Sequence, residues 1–307
     1  MRKIFILSFL IAIAAFVAPR QTSAAAQSDE ILVEMPVPPE SMTNLSQRCN
    51  FILDKFWNKF NFKAAFSSLD RMDATMGQFF SITPYATADT VFMSINKLLE
   101  GVERADDKNI VPLVKIAEKW VGNDTAEYAS EQLMYPFAKF VANSKKIKNS
   151  PDKQYYSRLA KQLENSMIGA TMPDLTFTTP DGSVSRLYEI TTPGVILFIY
   201  NPKDFDSRLA RTRLANDMAL NALTNANLLT VVALYPAKSD KVWEEEIENI
   251  PPKWVIGSAE NLPELITIRH QPQFYNINDR HGVTDKDFSA DDALMYFARI
   301  LNVLNNK

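Results

Sequence analysis

Val195-Ile196-Leu197-Phe198-Ile199-Tyr200-Asn201-Pro202-Lys203-Asp204-Phe205-Asp206-Ser207 decides the fold. The run Val195–Tyr200 is apolar without interruption, the pattern of a strand buried on both faces. Asn201-Pro202 ends it, because proline has no N–H for a ladder and Asn-Pro favours a turn. Asp204, Asp206 and Ser207 are residues that start helices. They predict a helix over roughly Ser207–Thr224. Strand, tight turn and helix in direct succession open an α/β unit.

The pattern extends outward on both sides. Leu228–Tyr235, Trp254–Gly257 and Gln273–Ile277 read as further strands, with Lys241–Glu248 as a helix between the first two. Ser289 and Asp292 make a capping-box-like start to a closing helix, Ser289–Asn305. Leu294, Phe297, Leu301 and Leu304 are its expected buried face. Upstream, Leu175–Thr178 and Val184–Tyr188 flank the turn signal Pro180-Asp181-Gly182.

Before Gly169 the apolar period becomes helical. Cys49, Ile52, Leu53, Phe56, Trp57 and Phe60 share one face. Ala88–Val102, Ile110–Val121, Leu133–Val141 and Tyr156–Met167 repeat that spacing, so five or six helices are expected. The expected fold class is α+β with two domains: an all-α helical bundle over 27–165 and an α/β domain over 166–307.

Residues 1–26 read as an export signal. Arg2 and Lys3 precede an apolar run from Ile4 to Val17, and Thr22-Ser23-Ala24-Ala25-Ala26 suits cleavage. The run of about 14 residues is shorter than the roughly 20 that span a bilayer. The expected location is therefore the periplasm or outer envelope of a Gram-negative bacterium, with no membrane span once the signal is removed. The signal holds three basic residues and no acids, so its removal takes the formal charge from −3 to −6. A mildly acidic chain without a basic block is a poor nucleic-acid binder. Cys49 is the only cysteine, so no internal disulfide can form.

Three segments carry a resemblance. They are Gly169-Ala170-Thr171-Met172-Pro173-Asp174-Leu175 with Pro180-Asp181-Gly182, the Val195–Pro202 strand, and Gln271-Pro272-Gln273-Phe274-Tyr275 followed by Gly282-Val283. In this order and spacing the second half resembles thioredoxin-like domains of the exported TlpA/ResA kind. The first half, through Met35-Pro36-Val37-Pro38-Pro39, Phe56-Trp57, Phe60–Phe62 and Tyr135-Pro136-Phe137, resembles a helical domain of unknown function that precedes such domains.

The resemblance implies a cysteine pair where this chain has Asp204 and Ser207. A thiolate must attack and a second sulfur must resolve the mixed disulfide, and neither residue can do either. It also implies a cis-proline at Pro272, whose preceding backbone, that of Gln271, pairs with an extended peptide. The candidate groove is therefore Asp204, Phe205, Asp206, Ser207, Gln271 and Pro272, with an envelope protein or peptide as partner. The residues themselves also allow plain N-capping by Asp204, Asp206 and Ser207. Asp204, Ser207 and His270 suit a hydrolytic set by residue type, but no nucleophile elbow surrounds Ser207. His270 and His281 lack metal-ligand spacing, and no EF-type loop surrounds Asp204 and Asp206, so no metal and no cofactor are expected. The alternative is a member of a thiol–disulfide oxidoreductase or peroxidase system that acts with a partner's cysteines.

Overall fold

The computed structural model describes residues 33–305. The export signal expected at 1–26 lies outside them. Among the described residues the first half holds six α-helices: α1 (Leu45–Lys55), α2 (Leu69–Ile82), α3 (Ala88–Ala105), α4 (Ile110–Val121), α5 (Glu131–Asn143) and α6 (Pro151–Ser166). Side-chain oxygens of Asn44, Ser130 and Ser150 accept from Gln47, Leu133 and Lys153 N–H, capping α1, α5 and α6. The core is aromatic at its centre. Phe56 meets Trp57 at 4.6 Å between ring centroids, and Phe79 meets Phe80 at 5.4 Å, both edge to face.

Two sequence expectations change here. The Cys49–Phe60 face is not one helix. α1 ends at Lys55, and the N–H groups of Phe56, Asn58 and Phe60 donate to carbonyls three back or in tight turns. Phe56, Trp57 and Phe60 stay buried because the turns fold them into the same core. Helix α2 was not anticipated, although Ser68, Met72, Met76, Phe79 and Phe80 spell a cap and an apolar stripe. Gly77 in its middle disfavours helix in isolation, and packing supplies the reason for it. A Cβ there would lie 2.6 Å from the Trp120 ring of α4.

The second half is a seven-stranded sheet in the order β2-β1-β5-β4-β3-β6-β7. The strands are β1 (Thr176–Thr178), β2 (Val184–Arg186), β3 (Gly194–Ile199), β4 (Leu229–Tyr235), β5 (Val255–Ser258), β6 (Gln273–Asn278) and β7 (Val283–Lys286). β3, β4 and β5 run parallel, and β6 returns antiparallel to β3. Period-two alternation splits β3 between two cores. Ile196 and Phe198 face one, and Val195, Leu197 and Ile199 face the other.

The helices here are α7 (Phe205–Ala215), α8 (Met218–Asn225), α9 (Lys241–Glu246), α10 (Leu262–Leu265) and α11 (Ala290–Asn305). The single helix expected at Ser207–Thr224 is thus two. Asn216-Asp217 interrupts it, and Asp217 Oδ1 caps α8 by accepting from Leu220 N–H at 2.7 Å. The helix expected to reach Glu248 stops at Glu246 and tightens into a 3-10 turn. Ser289 and Asp292 bond reciprocally, Ser289 N–H to Asp292 Oδ2 at 3.1 Å and Asp292 N–H to Ser289 Oγ at 3.1 Å. On α11 Phe297 and Ala293 are fully buried, whereas Leu304 is exposed.

The junction is tied down. Gly169, at φ +89°, holds a left-handed conformation that suits glycine. Its N–H donates to Val283 O at 2.9 Å, and Thr171 bridges Gly282.

Candidate functional site

Two turns meet at the C-terminal end of β3. Register brings them together: Ile199 pairs with Gln273, so Tyr200-Asn201 continues alongside Pro272-Gln271. The Gln271–Pro272 peptide bond is cis.

The first turn is closed by its own atoms. Asp204 is the N-cap of α7, its Oδ2 accepting from Ser207 N–H at 2.7 Å. Ser207 is fully buried, and its Oγ accepts from Asn201 N–H at 3.2 Å. Lys203 reaches out of the turn to Asp240 Oδ2 at 2.8 Å, where Tyr235 OH also donates at 3.1 Å. The Lys203 hydrogen bond, with help from Trp243 N–H, holds the Asp240 carboxyl down to about 2. Beneath α7, Arg211 Nε and Glu246 Oε1 stand 2.6 Å apart, both largely buried. The Tyr200 hydroxyl lies near them, and burial raises its pKa above the usual phenol range. Asp204 therefore caps α7, and the Ser207 hydroxyl closes the turn onto Asn201. Phe205 and Asp206, between them, point outward, with Phe205 67% exposed.

The second turn has a different character. His270 Nδ1 lies 2.8 Å from Pro272 O. The N–H and C=O of Gln271 have no hydrogen-bond partner among the described residues. Ser207 Oγ is buried in the turn and His270 engages its own loop, so the Asp204–Ser207–His270 set is not assembled as a hydrolytic site.

Sequence reasoning missed the polar cluster just behind this turn. Gln273 is fully buried; its Oε1 accepts from Arg269 N–H at 2.8 Å and its Nε2 donates to Tyr275 OH at 3.0 Å. Burial raises the Tyr275 hydroxyl. Thr267 Oγ1 donates to Glu131 Oε1 at 3.0 Å, and Lys286 Nζ donates to both Glu131 oxygens at 2.8 and 2.9 Å. Arg269 Nε sits 3.3 Å from Glu131, and its Nη1 binds Asp124. Glu131 and Asp124 belong to the helical half. From α6, Gln162 and Asn165 side-chain amides donate to the Pro263 and Leu265 carbonyls at 2.5 and 2.8 Å. The helical half thus grips the segment 262–269 that leads into the Gln271-Pro272 turn. Asp287, next to Lys286, has its pKa raised by burial, with Lys286 opposing. No short-range signal marks Glu131: an acid in the first turn of a helix looks like a partner of the helix dipole.

Cys49 lies on α1 in the helical core, where burial raises its thiol pKa. Among the described residues no cluster of His, Cys, Asp and Glu could hold a metal ion, and no helix is long and apolar enough to cross a membrane.

Comparison with known proteins agrees with this architecture. Residues 17–165 match the domain of unknown function DUF5106. A crystallised thioredoxin-like protein from Bacteroides caccae superimposes with a TM-score of 0.68 at 20% identity, over 86% of this chain and 97% of its own. The thioredoxin domain of a thiol-disulfide oxidoreductase from Bacteroides vulgatus aligns at 14% identity and TM-score 0.38, over 44% of this chain and 97% of its own. A thiol:disulfide interchange protein from Bacteroides sp. aligns at 14% identity and TM-score 0.39, over 45% of this chain and 92% of its own. No curated protein matches. The chain is a thioredoxin-fold protein with a helical N-terminal half, and it lacks the CxxC pair.

Proposed function

We propose that this chain is an exported, redox-inactive binding module of the bacterial cell envelope. It captures an extended segment of a partner polypeptide at the end of β3. The observation that carries this reading is the free main chain of Gln271 in one turn at this end of β3, together with the exposed ring of Phe205 after the other. Unpaired backbone at a turn edge is what strand addition uses, and a neighbouring aromatic gives side-chain purchase. Asp204, Phe205, Asp206, Ser207, Gln271 and Pro272 form the candidate groove. Asp204 and Ser207 shape it, whereas Phe205, Asp206 and the Gln271 backbone make the contacts.

The export signal expected at residues 1–26 supports placement in the periplasm or outer envelope. Without a sulfur at 204 or 207, electron exchange has no route through this turn. Insulin reduction by purified protein should therefore match the uncatalysed rate, and turnover that persists in Cys49→Ser would sink the proposal. Binding is tested by pull-down from envelope extract with the wild type, Gln271→Pro and Phe205→Glu. Gln271→Pro removes the donor N–H, and Phe205→Glu removes the apolar contact while leaving the buried turn intact. Selective loss of one partner by both variants supports the groove. Equal recovery of every partner by all three rejects it.

A further inference from the structure

The helical half carries a second feature that the thioredoxin-like turn does not use. An open groove of about 880 Å³ runs between α3 and α5. Phe92 and Leu99 on α3 face Tyr135 and Phe140 on α5, and Met167 closes one side. Phe92 and Gln132 also line an adjoining recess of about 550 Å³. The helices run the same way: both begin at that recess, and Lys146, beyond α5, donates to Glu103 O near the end of α3 at 3.3 Å. Phe92 to Glu103 spans about 16 Å at 1.5 Å per residue, room for three helical turns.

Two details choose the occupant. Pro136 interrupts α5 within the groove wall, so it cannot donate to the Gln132 carbonyl one turn back. The Pro136 ring itself lines the groove, and that carbonyl lacks its usual i+4 donor. The charge is also uneven: Lys139, Lys145 and Lys146 line the groove with Glu103, and since Lys139 pairs with Glu164 at 3.5 Å and Lys146 with Glu103 at 3.9 Å, Lys145 is the cation left over among the described residues. Lys145 makes no hydrogen bond or ion pair among the described residues. Lys145 and Lys146 stand at the end where α3 and α5 both present their C-termini.

We infer that this groove binds an amphipathic helix of a partner polypeptide. The helix lies antiparallel to α3 and α5 with an acidic first turn against Lys145 and Lys146. Its N-terminal dipole end then meets the C-terminal ends of both wall helices. Its acids complement that dipole and the lysines together. Apolar residues at i, i+3, i+4 and i+7 fill the floor. This site is independent of the Gln271-Pro272 turn.

The test uses the mature full-length chain and fluorescence anisotropy. The probes are a three-turn helical peptide with leucines on one face and glutamates in its first turn, a scrambled isomer, and a version with lysines for glutamates. The first should bind about tenfold or more tightly than either control. Asn96→Trp, at an exposed groove-lining position, should abolish binding. Lys145→Glu with Lys146→Glu should reverse the preference between the acidic and basic peptides. Circular dichroism verifies that both variants fold, and Phe205→Glu should leave peptide affinity unchanged. Equal binding of the scrambled peptide, or no binding of any peptide, overturns the inference. So does binding of palmitate in place of the peptides, or a dimer that Asn96→Trp abolishes.

Discussion

The turn at 201–207 and the cluster around Glu131 are both built of polar side chains, yet they spend them in opposite ways. In the turn the bonds that shape the backbone are local: Asp204, Ser207 and Asn201 satisfy one another within seven residues, and Lys203 alone reaches away, to Asp240. Around Glu131 the partners come from three elements far apart in sequence and join two halves of the molecule. The difference teaches what each region does. The turn holds its own shape without sulfur chemistry, and the cluster fixes where the Gln271-Pro272 edge stands relative to the helices.

The contrast can be broken in order of size. Glu131→Ala leaves Lys286, only 4% exposed in its side chain, charged and without its carboxylate. Removing one member of a buried pair costs about 3–5 kcal/mol, read as a large drop in the denaturation midpoint. The double change Glu131→Leu with Lys286→Met should recover part of that loss, because Lys286 is no longer stranded, while Asp287, 3.7 Å from Lys286, loses its cation. Failure of Glu131→Ala to destabilise would show that the cluster contributes nothing to holding the halves together.

Ser207→Ala comes next. It strips the acceptor from Asn201 N–H beside a fully buried position and should cost about 1–3 kcal/mol by urea unfolding. Asp204→Ala removes only a cap, at about 1 kcal/mol. If Asp204→Ala cost more than Ser207→Ala, the ranking of buried acceptor over surface cap would be wrong.

The smallest effect is a titration. Asp240 is held from an ordinary 3.8 down to about 2, chiefly by the Lys203 hydrogen bond. A depressed carboxylate stabilises the folded state fully above its unfolded value. That contribution disappears as pH falls through about 2. Carbon-detected NMR should place the midpoint there, and Lys203→Ala should raise it. The carboxyl is only half-buried and its Lys203 partner is exposed, so little change in global stability should accompany the shift.

Much of the fold was legible because burial leaves a periodic trace. The Val195–Tyr200 run gave β3, and the stripes beginning at Ala88, Ile110 and Tyr156 gave α3, α4 and α6. Helix α2 was hidden by Gly77, whose reason is the Trp120 ring on another helix. The break at Asn216-Asp217 was hidden because an Asp cap inside an apolar pattern reads as a solvated position. At the candidate site, Asp204 was readable as a cap because capping is local, whereas Ser207 instead closes the turn onto Asn201. The free Gln271 main chain, the Glu131–Lys286 pair and the groove between α3 and α5 were not readable. Each depends on which distant elements the chain brings together, and one sequence records no such pairing.

The grip of Gln162, Asn165 and Glu131 on residues 262–269 has a practical corollary for anyone dissecting this molecule. Cut at the junction, the sheet half would keep Lys286 and Thr267 facing water in place of the carboxylate they fold around. The strand leading to Pro272 would lose its anchor rail. A truncated fragment is therefore a poor stand-in for the intact chain, and affinities measured on it describe an altered edge.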